Sequence, residues 1–324
     1  MRRLLAFGLS FALWAAVAGI AAADGGREGP AAQIGSLAYV ATSPRGGATD
    51  AGSDVIGHVG FYEARHADTL LDIARRFDLG FVELRAANAG VDAWLPGEGT
   101  PLILPSAHVL PDAPRRGLVL NLAELRLYYF PADGGPVQTF PVGIGVEGAN
   151  TPLGTTTIVS KRANPTWIPP ASIRAERPEL PAAVPPGPAN PLGAFALDLG
   201  WPSYRIHGTN RPYAVGRRVT HGCVRLYPED IERLYKVVPI GTPVTVVNQP
   251  VKLGWHGGEL YIEFHPGLEQ VDEIEATGRL APETMPDIAG VILAAAGPQD
   301  SRIDWAAVRG AATSRTGVPV RITR

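Results

Sequence analysis

Glycine and proline recur along the whole chain, with 38 glycines and 31 prolines among 324 residues. Glycine weakens a helix interior, and proline removes a backbone donor and clashes with the preceding turn. A chain interrupted this often is unsuited to a helical bundle and favours a β-rich, loop-rich architecture. We therefore expect short strands joined by turns, with few helices.

The clearest strand pattern lies in residues 117–248. Leu118–Leu122 and Leu125–Phe130 alternate around a short break, as the two strands of a hairpin do. Further strands are expected over residues 137–144, 154–161, 194–197, 204–206 and 244–248. One helix should begin at Pro228, followed by an acidic first turn and an apolar face that includes Ile231 and Leu234. The pattern predicts a mainly β domain, a sandwich or barrel with one packed helix.

The first 23 residues have the composition of a signal peptide. Arg2 and Arg3 precede an apolar run over residues 4–20, and three alanines follow, so cleavage after Ala23 is expected. An uncleaved membrane anchor stays open, because the run is close to the lower limit for a span. The prediction is export to the periplasm, with no transmembrane span once the peptide is removed.

The segments that flank the β domain differ from it in composition. Residues 24–57 are rich in small residues and predict a flexible tether. Residues 59–105 predict a small independent βααβ unit, joined to the β domain by a proline-broken linker over residues 105–114. Residues 249–324 predict a C-terminal extension with one strand and two helices. Nine prolines between Pro165 and Pro191 indicate a stiff loop, in which Trp167 could wall a cleft.

Charge limits the kinds of partner. The chain has 29 basic and 31 acidic side chains, a balance that argues against a nucleic-acid partner. No cofactor is implied either. Residues 143–148 match a dinucleotide fingerprint by letters, but a turn follows them where that motif requires a helix.

Cys223 is the only cysteine, and it follows His221 and Gly222. An unpaired thiol in an exported protein is a candidate reactive group. His207 lies sixteen residues earlier, where a predicted strand ends, and the chain between them can fold back so that imidazole and thiol meet. A base there could take the thiol proton, and an imidazolium could stabilise the thiolate. Backbone N–H groups at Gly222 and Cys223 could stabilise an oxyanion.

The sequences Ile206-His-Gly-Thr209 and Thr220-His-Gly-Cys-Val-Arg225, with "TPLGTTTI" and "FPVGIG", resemble the YkuD-type L,D-transpeptidases of the ErfK/YbiS subgroup. The resemblance implies a YkuD-like catalytic domain with Cys223 as nucleophile and His207 as base. It further implies that Gly208 orients the base and that His221, Gly222 and Arg225 shape the acyl pocket. "ADTLLDIARRF" and "LPGEGTPLILP" in residues 59–105 resemble a LysM module, which implies binding to glycan strands. Further candidate substrate contacts are Tyr204, Thr209, Thr220 and Trp167, with Arg211, Arg217 and Arg218 as holders of carboxylates.

The implied reaction is acyl transfer on peptidoglycan, in which the thiol attacks the bond between diaminopimelate and D-alanine of a tetrapeptide stem. The acceptor could be a diaminopimelate amine, a lysine of an outer-membrane lipoprotein, or water, which would give carboxypeptidase activity. A carbapenem, which acylates this family, should be captured by Cys223. The alternatives are a zinc site from His207, His221 and Cys223, and a wall-binding protein with no catalytic activity.

Overall fold

A computed structural model describes residues 52–281 and 287–324. The predicted signal peptide and most of the predicted tether lie outside these residues. None of the helices in the described ranges has the length and apolar character needed to cross a bilayer.

The described chain is mainly β. The strands are β1 Val55–Gly57, β2 Gly60–Glu63, β3 Pro101–Leu104, β4 Ala107–Val109, β5 Gly117–Asn121, β6 Arg126–Phe130, β7 Gln138–Pro141, β8 Ile144–Gly145, β9 Gly154–Ala163, β10 Phe195–Leu199, β11 Arg205–His207, β12 Arg218–Thr220, β13 Val224–Arg225, β14 Pro243–Val247, β15 Val251–His256, β16 Glu259–Phe264 and β17 Val320–Arg321. The helices are α1 Leu70–Arg76, α2 Phe81–Ala87, α3 Ala171–Glu176, α4 Pro228–Val237, α5 Leu268–Thr277, α6 Ala289–Ala296 and α7 Trp305–Ser314.

Eight strands of the central domain form one sheet, in the order β13-β11-β10-β9-β14-β5-β6-β7. The pairs β5/β14 and β11/β13 are parallel, and the other neighbours are antiparallel. Gly143, just after β7, exchanges two backbone hydrogen bonds of 2.8 Å with Arg225 on β13. The two ends of the sheet therefore meet, and the predicted barrel-like β domain is confirmed.

Helix α4 packs on this sheet for the reasons that its sequence suggests. Pro228 occupies the first turn, and Glu229 and Asp230 complement the positive end of the helix dipole. Ile231 and Leu234 are buried in the core that the sheet encloses. The helix thus backs the strands that carry the site described below.

The βααβ unit is present but does not pack independently. Thr69 caps α1 by accepting a hydrogen bond from the Asp72 N–H, and β2 pairs with β3. Its buried leucines belong to the same apolar cluster as those of the central sheet. Glu83 on α2 also forms a buried ion pair of 2.6 Å with Arg126 on β6. The expectation of an independent unit was wrong, because α2 shares its buried face with the central domain.

Two segments expected to be irregular contain paired strands. Strand β1, at the end of the predicted tether, pairs with β4, which lies within the predicted linker. His108 and Val109 on β4 are almost fully buried. The linker prediction was wrong here, because prolines at both ends do not prevent a short strand between them from being enclosed.

The C-terminal residues build a second, smaller core. Strands β15, β16 and β17 form a sheet against which α6 and α7 pack. Helix α5 was not predicted. Lys252 on β15 is fully enclosed and lies 2.6 Å from Glu124 and 3.0 Å from Glu263, so buried charges join this extension to the central domain.

Candidate active site

The parallel pairing of β11 with β13 places the two segments that carry the predicted catalytic residues side by side. Ile206 lies opposite Val224, and His207 lies opposite Arg225. Side chains at alternate positions of a strand point to the same face, and opposite residues share a face. Cys223 immediately precedes β13 and lies two residues before Arg225. It is therefore on the same face of the sheet as Arg225 and His207.

His207 is buried, with 3% of its surface exposed. Its Nδ1 lies 2.6 Å from the carbonyl oxygen of Gly208. Because a carbonyl oxygen only accepts, Nδ1 carries a proton, and in the neutral imidazole Nε2 then has the lone pair. A side chain at position 208 would meet the Ile231 methyl of α4 at 2.9 Å, so glycine allows this close approach of strand and helix. The Gly208 carbonyl thus fixes the tautomer and the orientation of the ring.

Cys223 is half-buried, and its Sγ lies 3.6 Å from the carbonyl oxygen of Ser203. Burial raises the pKa of the Cys223 thiol, although Arg205 and Arg225 partly oppose the shift. Burial, with Arg225 nearby, lowers the pKa of His207 to about 3. Both shifts favour the neutral thiol and the neutral imidazole over the expected imidazolium–thiolate pair.

Two threonine hydroxyls fix the backbone around Cys223. Thr151 Oγ1 donates to the carbonyl of Gly222 at 2.9 Å, and Thr220 Oγ1 donates to the carbonyl of Cys223 at 2.7 Å. In a trans peptide the C=O and the next N–H point in opposite directions. Thr151 therefore turns the Cys223 N–H away from itself. No acceptor in the described part of the chain takes the Gly222 or Cys223 N–H, so both stay available to a substrate oxygen.

Gly222 has a φ of +95° and packs tightly in this loop. A Cβ at this position would meet Cε1 of Tyr204 at 2.6 Å and the carbonyl oxygen of Asn150 at 3.3 Å. Tyr204 is half-buried and makes an edge contact with Trp201. Glycine is required here by both the backbone angle and the close contact.

Thr151 is a site residue that the sequence reasoning did not identify. It lies in the quoted "TPLGTTTI" stretch, but its hydroxyl acts on a residue 71 positions further along the chain. No local pattern indicates such a contact. The same hydroxyl accepts the Gly145 N–H at 3.3 Å, which links the "FPVGIG" stretch to the cysteine loop.

Several predicted site residues lie elsewhere. His221 is exposed, and its Nε2 contacts Glu176 on α3 at 3.0 Å. Thr209 is buried and accepts the Arg211 N–H within its own turn. Trp167 is half-buried and exchanges backbone hydrogen bonds with Val184. These contacts support the loops, and His221 joins the cysteine loop to the proline-rich segment.

That proline-rich segment is tied at its base. Asn190 is fully buried, and its Nδ2 donates to the carbonyl of Pro165 at 2.7 Å and to those of Val184 and Pro185. Its Oδ1 accepts the Leu192 N–H. The Asn190 amide therefore holds both ends of the proline-rich segment together. In the middle of the segment, Glu176 contacts His221.

Two of the three arginines expected to hold carboxylates, Arg217 and Arg218, differ from expectation. Arg217 is paired with Glu275 at 3.4 Å and stacks on Phe81, and Arg218 is buried against the carbonyl of Leu268. Both point to the junction with α2 and α5, so the prediction that they hold substrate carboxylates at the thiol was wrong. Arg225, by contrast, stands on the His207 face, and burial lowers its pKa.

The zinc alternative is not supported by the positions of its ligands. Over residues 52–281 and 287–324, the one group of three metal-type ligand atoms within 4.8 Å of one another is His108, Glu124 and Glu263. The Lys252 ammonium lies within hydrogen-bond distance of both glutamates. Ligand atoms of His207, His221 and Cys223 form no such group in these ranges.

Comparison with known proteins agrees with this geometry. Residues 115–246 match the family profile of the YkuD L,D-transpeptidase catalytic domain. The chain is 42% identical over 234 residues to "Probable L,D-transpeptidase YcfS" of Escherichia coli, covering 69% of the chain and 73% of that protein. It is 40% identical over 255 residues to "Probable L,D-transpeptidase YbiS" of E. coli, covering 77% and 81%. It is 38% identical over 257 residues to "Probable L,D-transpeptidase ErfK/SrfK" of E. coli, again covering 77% and 81%.

Proposed function

The chain belongs to the L,D-transpeptidase family, acyltransferases that act on peptidoglycan, and from this premise we propose how its residues carry the reaction. Cys223 is the nucleophile and His207 is the general base. The observation that carries the proposal is the His207–Gly208 contact, which fixes a proton on Nδ1 and so reserves Nε2 for proton transfer on the face of the sheet that Cys223 shares.

In the first half-reaction, Sγ attacks the carbonyl carbon between diaminopimelate and D-alanine while His207 Nε2 takes the thiol proton. The carbonyl oxygen becomes an oxyanion, which the N–H groups of Gly222 and Cys223 stabilise. Collapse of this intermediate breaks the C–N bond. The D-alanine amine takes the proton from Nε2 and leaves, and a thioester remains on Cys223.

In the second half-reaction, an acceptor amine attacks the thioester carbon and gives its proton to Nε2. The C–S bond breaks, and the thiolate recovers that proton. A neutral imidazole suits both halves, because a base must be unprotonated before each attack. Arg225, the one cation opposite His207 on β13, is the proposed partner of the donor stem's carboxylate.

The proposed setting is the periplasm, reached through the signal sequence of residues 1–23. The proposed partners are the stem peptides and glycan strands of peptidoglycan, the latter engaged in part by the LysM-like unit. Mass spectrometry of muropeptides made by the purified enzyme separates the acceptors. A diaminopimelate amine gives 3→3 crosslinks, a lipoprotein lysine gives a protein-linked muropeptide, and water gives a tripeptide.

Carbapenem capture tests the assignment of the two residues. The Cys223→Ala variant should form no covalent adduct by intact-protein mass spectrometry. His207→Gln should still form it, but slower by roughly 10²–10⁴-fold, the usual contribution of a general base. His221→Ala is the matched control, an exposed histidine two residues from the thiol, and should react within a few-fold of wild type. An adduct on Cys223→Ala would overturn the proposal.

A further inference from the structure

A cavity of about 810 Å³ lies beside the active-site loop, outside the catalytic site described above. Its walls come from helix α2 and the loop after it, from residues 217–219 at strand β12, and from helix α5 and the turn after it. Its size is within the range of ligand-binding clefts, roughly 300–1,000 Å³. The βααβ unit, the catalytic domain and the C-terminal extension therefore all contribute to its lining.

An exposed indole ring and guanidinium groups that form ion pairs line this cavity. Trp94 is 62% exposed, and Asp92 fixes its loop by accepting the N–H groups of Trp94 and Leu95. Arg217 is held by Glu275, and Arg218, nine-tenths buried, is held by Asp272 at 3.5 Å. These donors are positioned before any ligand arrives, which lowers the entropic cost of binding.

The charge of the lining selects the class of ligand. Four arginines face three carboxylates, so the cavity is close to neutral. A highly charged ligand gains little in such a site. A ligand with many neutral oxygen acceptors and a flat apolar face gains from both the guanidinium donors and the indole ring. N-acetylated sugars have this chemistry, since acetamide and hydroxyl oxygens accept hydrogen bonds and the ring face is apolar.

Strand β12 connects the cavity to the nucleophile. Val219 lines the cavity, and Cys223 follows four residues later. Four residues span at most about 14 Å, and the three stem residues that precede the scissile bond span about 10–11 Å when extended. A sugar in the cavity could therefore carry a stem peptide whose scissile bond reaches Cys223. Gly216, in the preceding loop, accepts the Val82 N–H, which fixes this loop against α2.

We propose that the cavity between Trp94, β12 and α5 binds the glycan strand of peptidoglycan and so presents the attached stem peptide to Cys223. The proposal rests on the proposed function. It adds that glycan binding uses the catalytic domain and α5 as well as the LysM-like unit. The C-terminal extension then has a role in substrate binding, because α5 forms one wall.

The test uses the chain without residues 1–23 and, as probe, glycan strands freed of stem peptides by an amidase, with affinity measured by calorimetry. Trp94→Ala should bind these strands about tenfold more weakly. Leu95→Ala is the matched control, a neighbour that is 76% exposed but does not line the cavity, and should bind within about twofold of wild type. Arg217→Gln should weaken binding like Trp94→Ala.

Three results would overturn the proposal: binding by Trp94→Ala equal to that of wild type, an equal loss with Leu95→Ala, or binding of free stem peptide in place of the glycan. Carbapenem acylation of Cys223, measured on every variant, keeps the two proposals apart. Trp94→Ala should acylate at the wild-type rate and yet crosslink intact sacculi more slowly. Loss of acylation in wild type would instead count against the proposed function.

Discussion

Replacing Gly222 by alanine should disable the nucleophile without unfolding the protein. The residue has a φ of +95°, and a Cβ would lie 2.6 Å from the Tyr204 ring. A non-glycine residue in this region costs roughly 1–3 kcal/mol. The ring must also move, and it directly follows Ser203, whose carbonyl contacts the thiol. Both sides of Cys223 are therefore displaced, and a shift of about 1 Å typically costs on the order of 10²-fold in rate.

The assay is the rate of carbapenem acylation, followed by loss of β-lactam absorbance and confirmed by intact mass. Gly241→Ala is the matched control, because Gly241 has a φ of +89° with no atom within 4 Å of its Cβ position. Gly241→Ala should lose roughly 1–3 kcal/mol of unfolding free energy, and Gly222→Ala should lose at least as much. Only Gly222→Ala should lose rate. Equal acylation by the two variants would refute the reasoning from the Tyr204 contact.

Three further predictions concern the pKa of His207, the Thr151 hydroxyl and the buried ion pair between Glu83 and Arg126. Because burial lowers the pKa of His207 to about 3, the pH profile of acylation should show no inflection near pH 6.5, and one there would mean that the imidazole is charged. Thr151→Val removes the hydrogen bond to the Gly222 carbonyl and should slow acylation about tenfold, with an unchanged rate counting against its positioning role. Arg126→Met leaves Glu83 buried and unpaired and should cost about 3–5 kcal/mol of unfolding free energy, most of it recovered by adding Glu83→Leu. Denaturant unfolding measures the last effect, and full additivity of the two substitutions would contradict it.

The sequence predicted the central strands, and it singled out His207 and Cys223 as the candidate pair, because the information there is local. Leu118–Leu122 alternates over one short run, and His207 and Cys223 each sit in a short motif. One strand ends at His207, and the chain then returns to Cys223. A single strand pairing is enough to place the two segments side by side. The parallel pairing of β11 with β13 supplies it.

The errors concern contacts between residues far apart in sequence. Arg217 and Arg218 are near Cys223 along the chain, but Glu275 and Leu268 of the C-terminal extension hold them. Glu83 looks like an ordinary surface residue of an amphipathic helix, yet Arg126 pairs with it in the core. Neither partner could be recognised without the fold.

The charge states of His207 and Cys223 also could not be predicted from the sequence. A histidine predicted to fold back onto a cysteine suggests an ion pair, but the charge state depends on burial. Enclosure of His207 and the nearby arginines favours the neutral imidazole, and burial of the thiol favours the neutral sulfur. These shifts favour the proposed general-base mechanism, in which the proton moves as the substrate is attacked.

The most direct measurement of the central claim is a mass map of the acyl-enzyme formed from a disaccharide-tetrapeptide donor, trapped by acid and digested. If Cys223 is the nucleophile, we expect one modified peptide, with the donor minus D-alanine joined through a thioester to Cys223. A different modified residue, or full turnover with no adduct at Cys223, would contradict it.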